Sequence, residues 1–343
     1  MCMDKISKKV YIVILNWNGW RDTIECLESV FHNSFHNYRV IVCDNASADN
    51  SLDKIKLWAK GQLNAGESNN KKISINTSPP VFKPIEFIEY NRKQAEQGGN
   101  IKDDVPLILI QTGANLGFAG GNNVGIRYAL KRADFDYLWL LNNDTVIDRD
   151  ALFYLMQKMQ NDNAIGICGS TLLYYHSPDK IQALGGAKYN KVLGTSRHIG
   201  ELLNYNLYKL EMLTKVKIDY IVGASMLISE KALLETGLLC EEYFLYYEEI
   251  DWATRMKNYK LAHAHQSIVY HKEGASIGSH ADPMMKSRLS DYYSLKNRII
   301  FTRKFYRWAL PFVYAGLLIA MVNRIRRKQW DRIPMIVKII LTS

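Results

Sequence analysis

Asp144 closes the run Leu140-Leu141-Asn142-Asn143-Asp144-Thr145, directly after an apolar stretch, Tyr137 to Leu141, that reads as a buried strand. A carboxylate at the carboxyl end of a buried strand in an α/β protein lies where ligands bind. Asn-Asn-Asp is also ordinary turn chemistry, so the reading depends on context. A second acidic group, Tyr246-Tyr247-Glu248-Glu249-Ile250-Asp251-Trp252, opens an amphipathic helix that carries Trp252, Arg255 and Met256. Acids in a first helical turn favour the dipole. Three carboxylates within four positions, after an aromatic run, exceed what a cap needs. Like charges crowded near apolar rings raise a carboxylate pKa and make a proton acceptor.

The elements that would position these groups follow a regular plan. Val10 to Leu15 is a near-continuous apolar, β-branched run, the pattern of a parallel strand buried on both faces. It ends in Asn16-Trp17-Asn18-Gly19, and Ile24, Leu27, Val30 and Phe31 then recur at helical spacing. A second strand, Tyr38 to Cys43, ends in Asp44-Asn45-Ala46-Ser47-Ala48-Asp49, where Ser47 or Asp49 could cap the next helix. A third, Pro106 to Ile110, leads through Asn115-Leu116-Gly117-Phe118-Ala119-Gly120-Gly121-Asn122-Asn123 to a helix over 124–130, and then to the Asp144 strand. Strands and helices alternate and each strand ends in Asn, Asp or Gly, which predicts an α/β fold with a parallel sheet and one polar rim. Such a rim suits a nucleotide: amides and carboxylates read base and ribose, and glycines admit phosphate. The glycine pattern is neither the dinucleotide fingerprint nor a Walker A loop, and a flexibly packed helix start explains it as well.

Further along, Tyr220 to Ile228 reads as a strand with small residues at Gly223 and Ala224. His271 ends a short strand over 268–272, in a place open to either a structural hydrogen bond or a ligand, whereas His263 and His265 alternate along a strand and read as structural. Leu184-Gly185-Gly186 and the Tyr-rich stretch Tyr189 to Tyr208 read as a loop region in which tyrosines could stack on sugars or simply pack.

Taken in order, Asn16-Trp17-Asn18-Gly19, Asp44 to Asp49, Asn115 to Asn123 and Leu141-Asn142-Asn143-Asp144 resemble the family-2 glycosyltransferases, and among them the rhamnosyltransferase-like branch, over about residues 9 to 300. The resemblance implies a GT-A fold, Rossmann-like with a mainly parallel sheet flanked by helices, and an inverting transfer from a nucleotide-diphosphate sugar. By the same resemblance Asn16, Trp17, Asn18, Asp44, Asn45, Asn115, Gly117, Gly120, Gly121, Asn122, Asn142 and Asn143 fall to the donor. Asp144, with Asn142 in place of the family's first Asp, and His271 fall to a divalent cation, Mg2+ or Mn2+, imidazole suiting Mn2+ better. Gly223 and Ala224 fall to the acceptor sugar. The acidic helix resembles the family's Glu-Asp-x-Asp element, which makes Glu249 the expected catalytic base, with Glu248 and Asp251 behind it. The donor expected is dTDP-rhamnose or a UDP-sugar, and the acceptor a lipid-linked saccharide of a surface polysaccharide.

Composition bounds the remaining choices. The 343 residues suffice for one large or two smaller domains, and 48% hydrophobic residues is a globular share. The expected division is 8–150 for the nucleotide-sugar half with a polar insertion over 61–104, 151–300 for the acceptor and base, and a basic amphipathic C-terminal extension over 301–343. Phe87 to Tyr90 would form a short edge strand inside the insertion. Cys2, Cys26, Cys43, Cys168 and Cys240 show no metal spacing and read as thiols of a reducing compartment. Met1 to Lys9 does not read as a leader. The chain's formal net charge is +10, and residues 286–328 alone carry +10, with eleven Lys or Arg and the single acid Asp291. Inside lies Ala309 to Val322, a fourteen-residue apolar run, short of the ~18–20 residues needed to cross a bilayer. With Tyr306, Trp308 and Tyr314 it reads as a helix lying on an anionic membrane surface, which places the protein peripherally on the cytoplasmic inner face of the cell membrane. Packing on the catalytic domain is the competing reading. No nucleic-acid fold signature accompanies the charge. Two other functions compete: a nucleotidyltransferase, which should show a basic glycine-rich loop near the first strand, where Asn16 to Trp20 has none, and a non-catalytic sugar-nucleotide or glycan-binding module, which would be indifferent to loss of Glu249.

Overall fold

The computed structural model describes residues 8–64, 66, 70–207, 217–273 and 287–342. Met1 to Ser7, Tyr208 and Lys286 lie outside them. Five strands, β1 (Val10–Asn16), β2 (Tyr38–Asp44), β3 (Phe87–Asn91), β4 (Leu107–Gln111) and β5 (Tyr137–Asn142), pair in parallel in the order β3-β4-β2-β1-β5. Val10, Ile12 and Ile14 of β1 pack on one face, under α1 (Trp20–Phe31) and α2 (Ser51–Ala59). Tyr11 and Val13 pack on the other, under α5 (Gly117–Arg132). Both faces of the strand are buried, which is why its sequence runs apolar rather than alternating. The insertion contributes the edge strand β3 and two short helices, α3 (Lys71–Ser74) and α4 (Arg92–Glu96).

The second half extends the same sheet rather than building another. After β6 (Thr145–Ile147) and α6 (Ala151–Asn161) come β7 (Ile165–Tyr174), β8 (Ser177–Leu184), β9 (Gly186–Asn190), β10 (Thr195–His198), β11 (Tyr220–Ile221) and β12 (Ser225–Ser229). Helices α7 (Glu230–Thr236) and α8 (Glu248–Arg255) precede β13 (Lys260–His271). The sheet continues past β5 as β12-β7-β13-β6, with β12 antiparallel to both neighbours and β8 added beside β7. A small second sheet, β10-β9-β11, stands over the rim.

Several boundaries differ from the sequence expectation. The single strand over 220–228 is two strands in two sheets, broken at Val222-Gly223-Ala224, where a side chain on Gly223 would meet the Glu249 Oε1 at 2.5 Å. The helix after the glycine motif begins at Gly117, inside the motif. The short strand ending at His271 is the end of the twelve-residue β13. Helix α2 starts after Asn50, in left-handed conformation, and neither Ser47 nor Asp49 is its N-cap residue.

The C-terminal segment is also longer in helix than its sequence suggests. The three helices α9 (Arg288–Phe305), α10 (Leu310–Arg326) and α11 (Ile333–Thr342) bury Leu295, Ile299, Val313, Leu317, Met335, Ile336 and Ile339 together. Arg307–Arg326 is a 20-residue helical stretch, long and apolar enough by length and composition to cross a membrane, because the helix runs on beyond Val322. It packs by one face only: Trp308, Phe312, Leu318, Ile319 and Val322 are exposed. Part of the basic charge is internal, since Asp291 is buried between Arg324 and Arg332.

Candidate active site

The carboxyl ends of β1, β2 and β5 form a hydrogen-bonded rim. Asn16 Nδ2 donates to Asp44 Oδ1 at 2.7 Å, and Ser47 Oγ donates to the same oxygen at 2.7 Å. Thr23 Oγ1 donates to Asn16 Oδ1, and Asn143 Nδ2 donates to Thr23 Oγ1, so the network runs from Asp44 to the residue beside Asp144. A second set joins Asn45 Nδ2 to Asn115 Oδ1 at 3.0 Å and the Leu116 amide to Asn45 Oδ1.

Asp144 sits on the tight turn between β5 and β6, with β6 paired to the end of β13. That pairing brings His271 beside it: Nε2 lies 3.2 Å from Asp144 Oδ1, and Nδ1 lies 2.9 Å from Gln182 Oε1. Burial disfavours the imidazolium, but the Asp144 charge, the hydrogen bond to Asp144 and the Glu273 charge together outweigh it, and the His271 pKa is raised. With Nδ1 carrying the proton toward Gln182, a neutral His271 turns its Nε2 lone pair toward a carboxylate oxygen. Two acceptors face each other across a gap that either a proton or a cation must fill. Two donors at right angles about a cation at ~2.1 Å stand about 3 Å apart, so this pair fits a divalent ion. Among the described residues no group of three or more His, Cys, Asp or Glu could hold a metal by itself; a bound diphosphate would have to complete the coordination.

The acidic helix reaches the same space. Residues 244–247 precede α8, and Phe244, Tyr246 and Tyr247 all adopt left-handed backbone conformations, with φ of 60°, 66° and 80°. Each such residue costs about 1–3 kcal/mol, so the turn needs a clamp. Asn297 of α9 provides it: buried, its Nδ2 lies 2.7, 2.7 and 3.1 Å from the carbonyls of Tyr243, Leu245 and Tyr246. Phe301 packs on Tyr247 behind the turn. The turn delivers Glu249 against Gly223, whose neighbour Ala224 accepts a hydrogen bond from the Asn142 amide at 3.1 Å. The base candidate is therefore joined through Gly223-Ala224 to the residue two positions before Asp144.

Burial raises the Glu249 pKa against hydrogen bonds from its own and the Gly223 backbone. Burial and the Glu249 charge push Glu248 well above the usual carboxylate range. Glu248 is 2% exposed, and its Oε2 has no hydrogen-bond partner among the described residues. One cavity of about 800 Å³ takes in Asp144, His271, Glu248 and Glu249 together, with Trp17, Asn45, Asn115, Gly117, Asn142, Asn143, Gly223 and Ala224 in its wall.

Other residues marked in the sequence lie off that wall. Asn16, Asn18 and Asp44 are tied into the rim network. Gly120 and Gly121 face Leu116 and Leu15, where a side chain would meet carbons at 2.8 and 2.4 Å. Asn122 donates to the Phe118 carbonyl. Gly120 and Gly121 thus serve close packing; Gly117, with φ of +70°, makes room for the Phe244 carbonyl and also lines the cavity. Asp251 points away from the cavity and is fully buried, accepting from Tyr243 Oη at 3.0 Å and pairing with Lys304 Nζ at 2.6 Å and with Arg255. Its place in a first helical turn could not distinguish this structural role. His263 hydrogen-bonds to Thr171 at 2.8 Å, and burial holds its pKa at about 3. Sequence reasoning missed Gln182, His198 and Arg298, all in the cavity wall. No motif marks the first two, and Arg298 is hidden in a basic run.

A mainly parallel sheet with acids gathered at its carboxyl rim, extended by antiparallel strands, is the GT-A architecture. The fold matches GalNAc-T7, solved with UDP, GalNAc and Mn2+, at a TM-score of 0.58 and 15% identity, covering 91% of this chain and 51% of that one. It also matches the mannosyltransferase PcManGT from Pyrobaculum calidifontis, solved with GDP-Man and Mn2+, at 0.53 and 13%, covering 97% and 86%. The model of the family "Glycosyl transferase family 2" matches residues 11–75 and 92–235, and the chain belongs to that family. The low-salt glycan biosynthesis hexosyltransferase Agl10 of Haloferax volcanii is 31% identical over 161 residues, 45% of this chain and 47% of that protein. The chain thus aligns with about half the length of this relative.

Proposed function

We propose that the protein transfers a sugar from a nucleotide-diphosphate donor to a saccharide hydroxyl, with inversion, in glycan or polysaccharide synthesis. The observation that carries this reading is the single cavity shared by the Asp144–His271 pair and the Glu248–Glu249 pair. Asp144 and His271 would hold Mg2+ or Mn2+, and the bound ion would neutralise charge developing on the departing nucleoside diphosphate. Trp17, Asn45, Asn115 and Asn143 offer a ring and amides to the nucleotide. Glu249 accepts the proton of the acceptor hydroxyl as that oxygen attacks the anomeric carbon from the face opposite the diphosphate. Gly223 and Ala224 line the cavity beside Glu249, where the acceptor ring would lie, the missing side chain of Gly223 making room for the Glu249 carboxylate itself. Glu248, its carboxyl held protonated by burial, leaves Glu249 as the charged member of the pair. Rhamnose is the leading donor sugar on the resemblance of the rim motifs, with UDP-sugars next. Imidazole ligation favours Mn2+ over Mg2+.

The acceptor is a lipid-linked saccharide and the protein works at the cytoplasmic face of a membrane in this reading. What supports it is the exposed apolar face of α10 beside Arg303, Arg307, Arg326, Arg327 and Lys328. The helix lies on the surface rather than across it, because Val313 and Leu317 pack into the bundle and Arg324 is tied to buried Asp291. Binding to anionic vesicles should fall with salt without vanishing; salt- and carbonate-resistant attachment would mean integration instead. The function itself is tested by a transfer and donor-hydrolysis screen across nucleotide sugars with Mg2+ and Mn2+. Turnover of one donor by the wild type and its loss in Glu249→Gln supports the reading. Binding without turnover of any donor would make the chain a binding module.

A further inference from the structure

Lys272 directly follows His271 but is not among the described residues that line the cavity. Its amide donates to the Asp144 carbonyl at 3.0 Å, and the His271 carbonyl accepts from the Tyr175 amide at 3.0 Å. Successive side chains of an extended chain point to opposite sides. The His271 imidazole turns into the cavity, and the Lys272 ammonium turns out of it, toward α1. There Nζ lies 2.5 Å from Asp22 Oδ1, 2.5 Å from Glu25 Oε2 and 4.8 Å from the centre of the Tyr175 ring. Tyr175 Oη donates to the other oxygen of Glu25 at 2.6 Å.

Exposed ion pairs contribute little. Here the Lys272 side chain is 15% exposed and that of Glu25 9%, and one ammonium bridges two carboxylates that neighbour each other on the helix face. The same stretch of α1 also grips the β5–β6 turn. Asn143 Nδ2 donates to Thr23 Oγ1 at 3.0 Å, and Cys26 Sγ lies 3.6 Å from Thr145 Oγ1. Residues 22, 23, 25 and 26 of α1 therefore hold both chain neighbours of Asp144 and, through Lys272, the strand end that presents His271. The 3.2 Å between His271 Nε2 and Asp144 Oδ1 spans two separate elements, and this one helix brackets both.

We propose that Lys272 is a positioning residue for the Asp144–His271 pair: clamped by Asp22 and Glu25, it fixes the spacing of the two groups and so the affinity for Mn2+. The inference rests on the reading of that pair as the metal site. Its sign is opposite to that of a charge effect. Removing a cation near a metal site strengthens metal binding by Coulomb's law, whereas loosening the pair of ligands weakens it.

Mn2+ binding to the full chain with UDP present is read from the loss of the free Mn2+ electron paramagnetic resonance signal, corrected for UDP alone, so no turnover is needed. Lys272→Met should weaken Mn2+ binding about tenfold or more, the scale of losing a contact that orients a metal ligand. Lys272→Arg, which keeps the bridge, should recover most of that loss. Lys83→Met breaks another buried pair, with Glu28 at 2.6 Å farther along α1. It should lower the melting temperature and leave Mn2+ affinity at the wild-type value. If Lys272→Met does not fold, the double variant Glu25→Gln/Lys272→Met decides: it removes one charge of each sign, so the bridge is lost at constant net charge, and Mn2+ binding should weaken to the same extent. Unchanged or tighter Mn2+ binding in the folded variants, or an equal loss in Lys83→Met, overturns the proposal. Asp144→Ala separates it from the metal reading. Abolished Mn2+ binding in Asp144→Ala with none lost in Lys272→Met refutes the positioning role alone. Intact Mn2+ binding in Asp144→Ala removes the metal site, and the positioning role with it.

Discussion

Asp144 and Glu249 face one cavity but are held there in opposite ways. Asp144 follows directly from its strand: β5 ends, the chain turns, and β6 locks onto β13. No left-handed residue is needed between Leu140 and Ile147. Glu249 follows a turn with three left-handed aromatic residues, held by Asn297 from a helix some fifty residues later in the chain. The end of the cavity proposed for the donor is thus built from strand ends and local turns. The end proposed for the base depends on long-range tertiary contacts, so it can lose its geometry while the other keeps its own.

The sharpest break in that comparison comes from the donor side. Asp144→Ala removes the only carboxylate of the turn, and metal-dependent nucleotide binding and turnover should both disappear; calorimetry with UDP and Mn2+ reads the first directly. Unchanged affinity would take Asp144 out of the site. Asn297→Ala attacks the other end without touching substrate. It should lower kcat by about 10–100-fold, the scale of misplacing a catalytic group by about an ångström, while UDP and Mn2+ affinity stays near normal. A parallel fall in both would show that the two ends are not independently held.

Smaller effects sharpen the electrostatics. The folded Glu248 holds its proton to a higher pH than the unfolded chain does, so stability present at low pH is lost as pH rises from the ordinary carboxylate pKa toward the raised one. Glu248→Gln removes that loss, and its melting temperature should vary less with pH across that interval than the wild type's. An identical pH dependence would mean that Glu248 is not the source. Gln182 probes the metal end on the same scale as Asn297: Gln182→Leu frees the His271 tautomer and should weaken Mn2+-supported activity about 10–100-fold, as loss of a ligand's outer hydrogen bond does. A Mn2+ titration of activity checks it.

The same contrast explains what could be read from the sequence. The β1, β2 and β5 strands and Asp144 were legible because a doubly buried parallel strand is an uninterrupted apolar run and its polar end is abrupt. The breaking of 220–228 into two strands was not, because it is set by the Glu249 side chain occupying the space over Gly223. The separation of Glu249 from Asp251 was equally invisible: both sit in one helical turn, and only Lys304, Arg255 and Tyr243 show that Asp251 is structural. In the basic tail, composition could not tell Arg324, paired internally, from the surface cations that would meet a membrane.

The central claim is that Glu249 takes the acceptor proton in a cavity whose donor end stands without it. The direct measurement is Glu249→Gln, assayed for UDP and Mn2+ affinity and for single-turnover sugar transfer on the same preparation. The account predicts unchanged affinity and a rate loss on the order of 10²–10⁴-fold. Transfer within a few fold of the wild type, or full loss in Glu248→Gln with Glu249→Gln active, would contradict it.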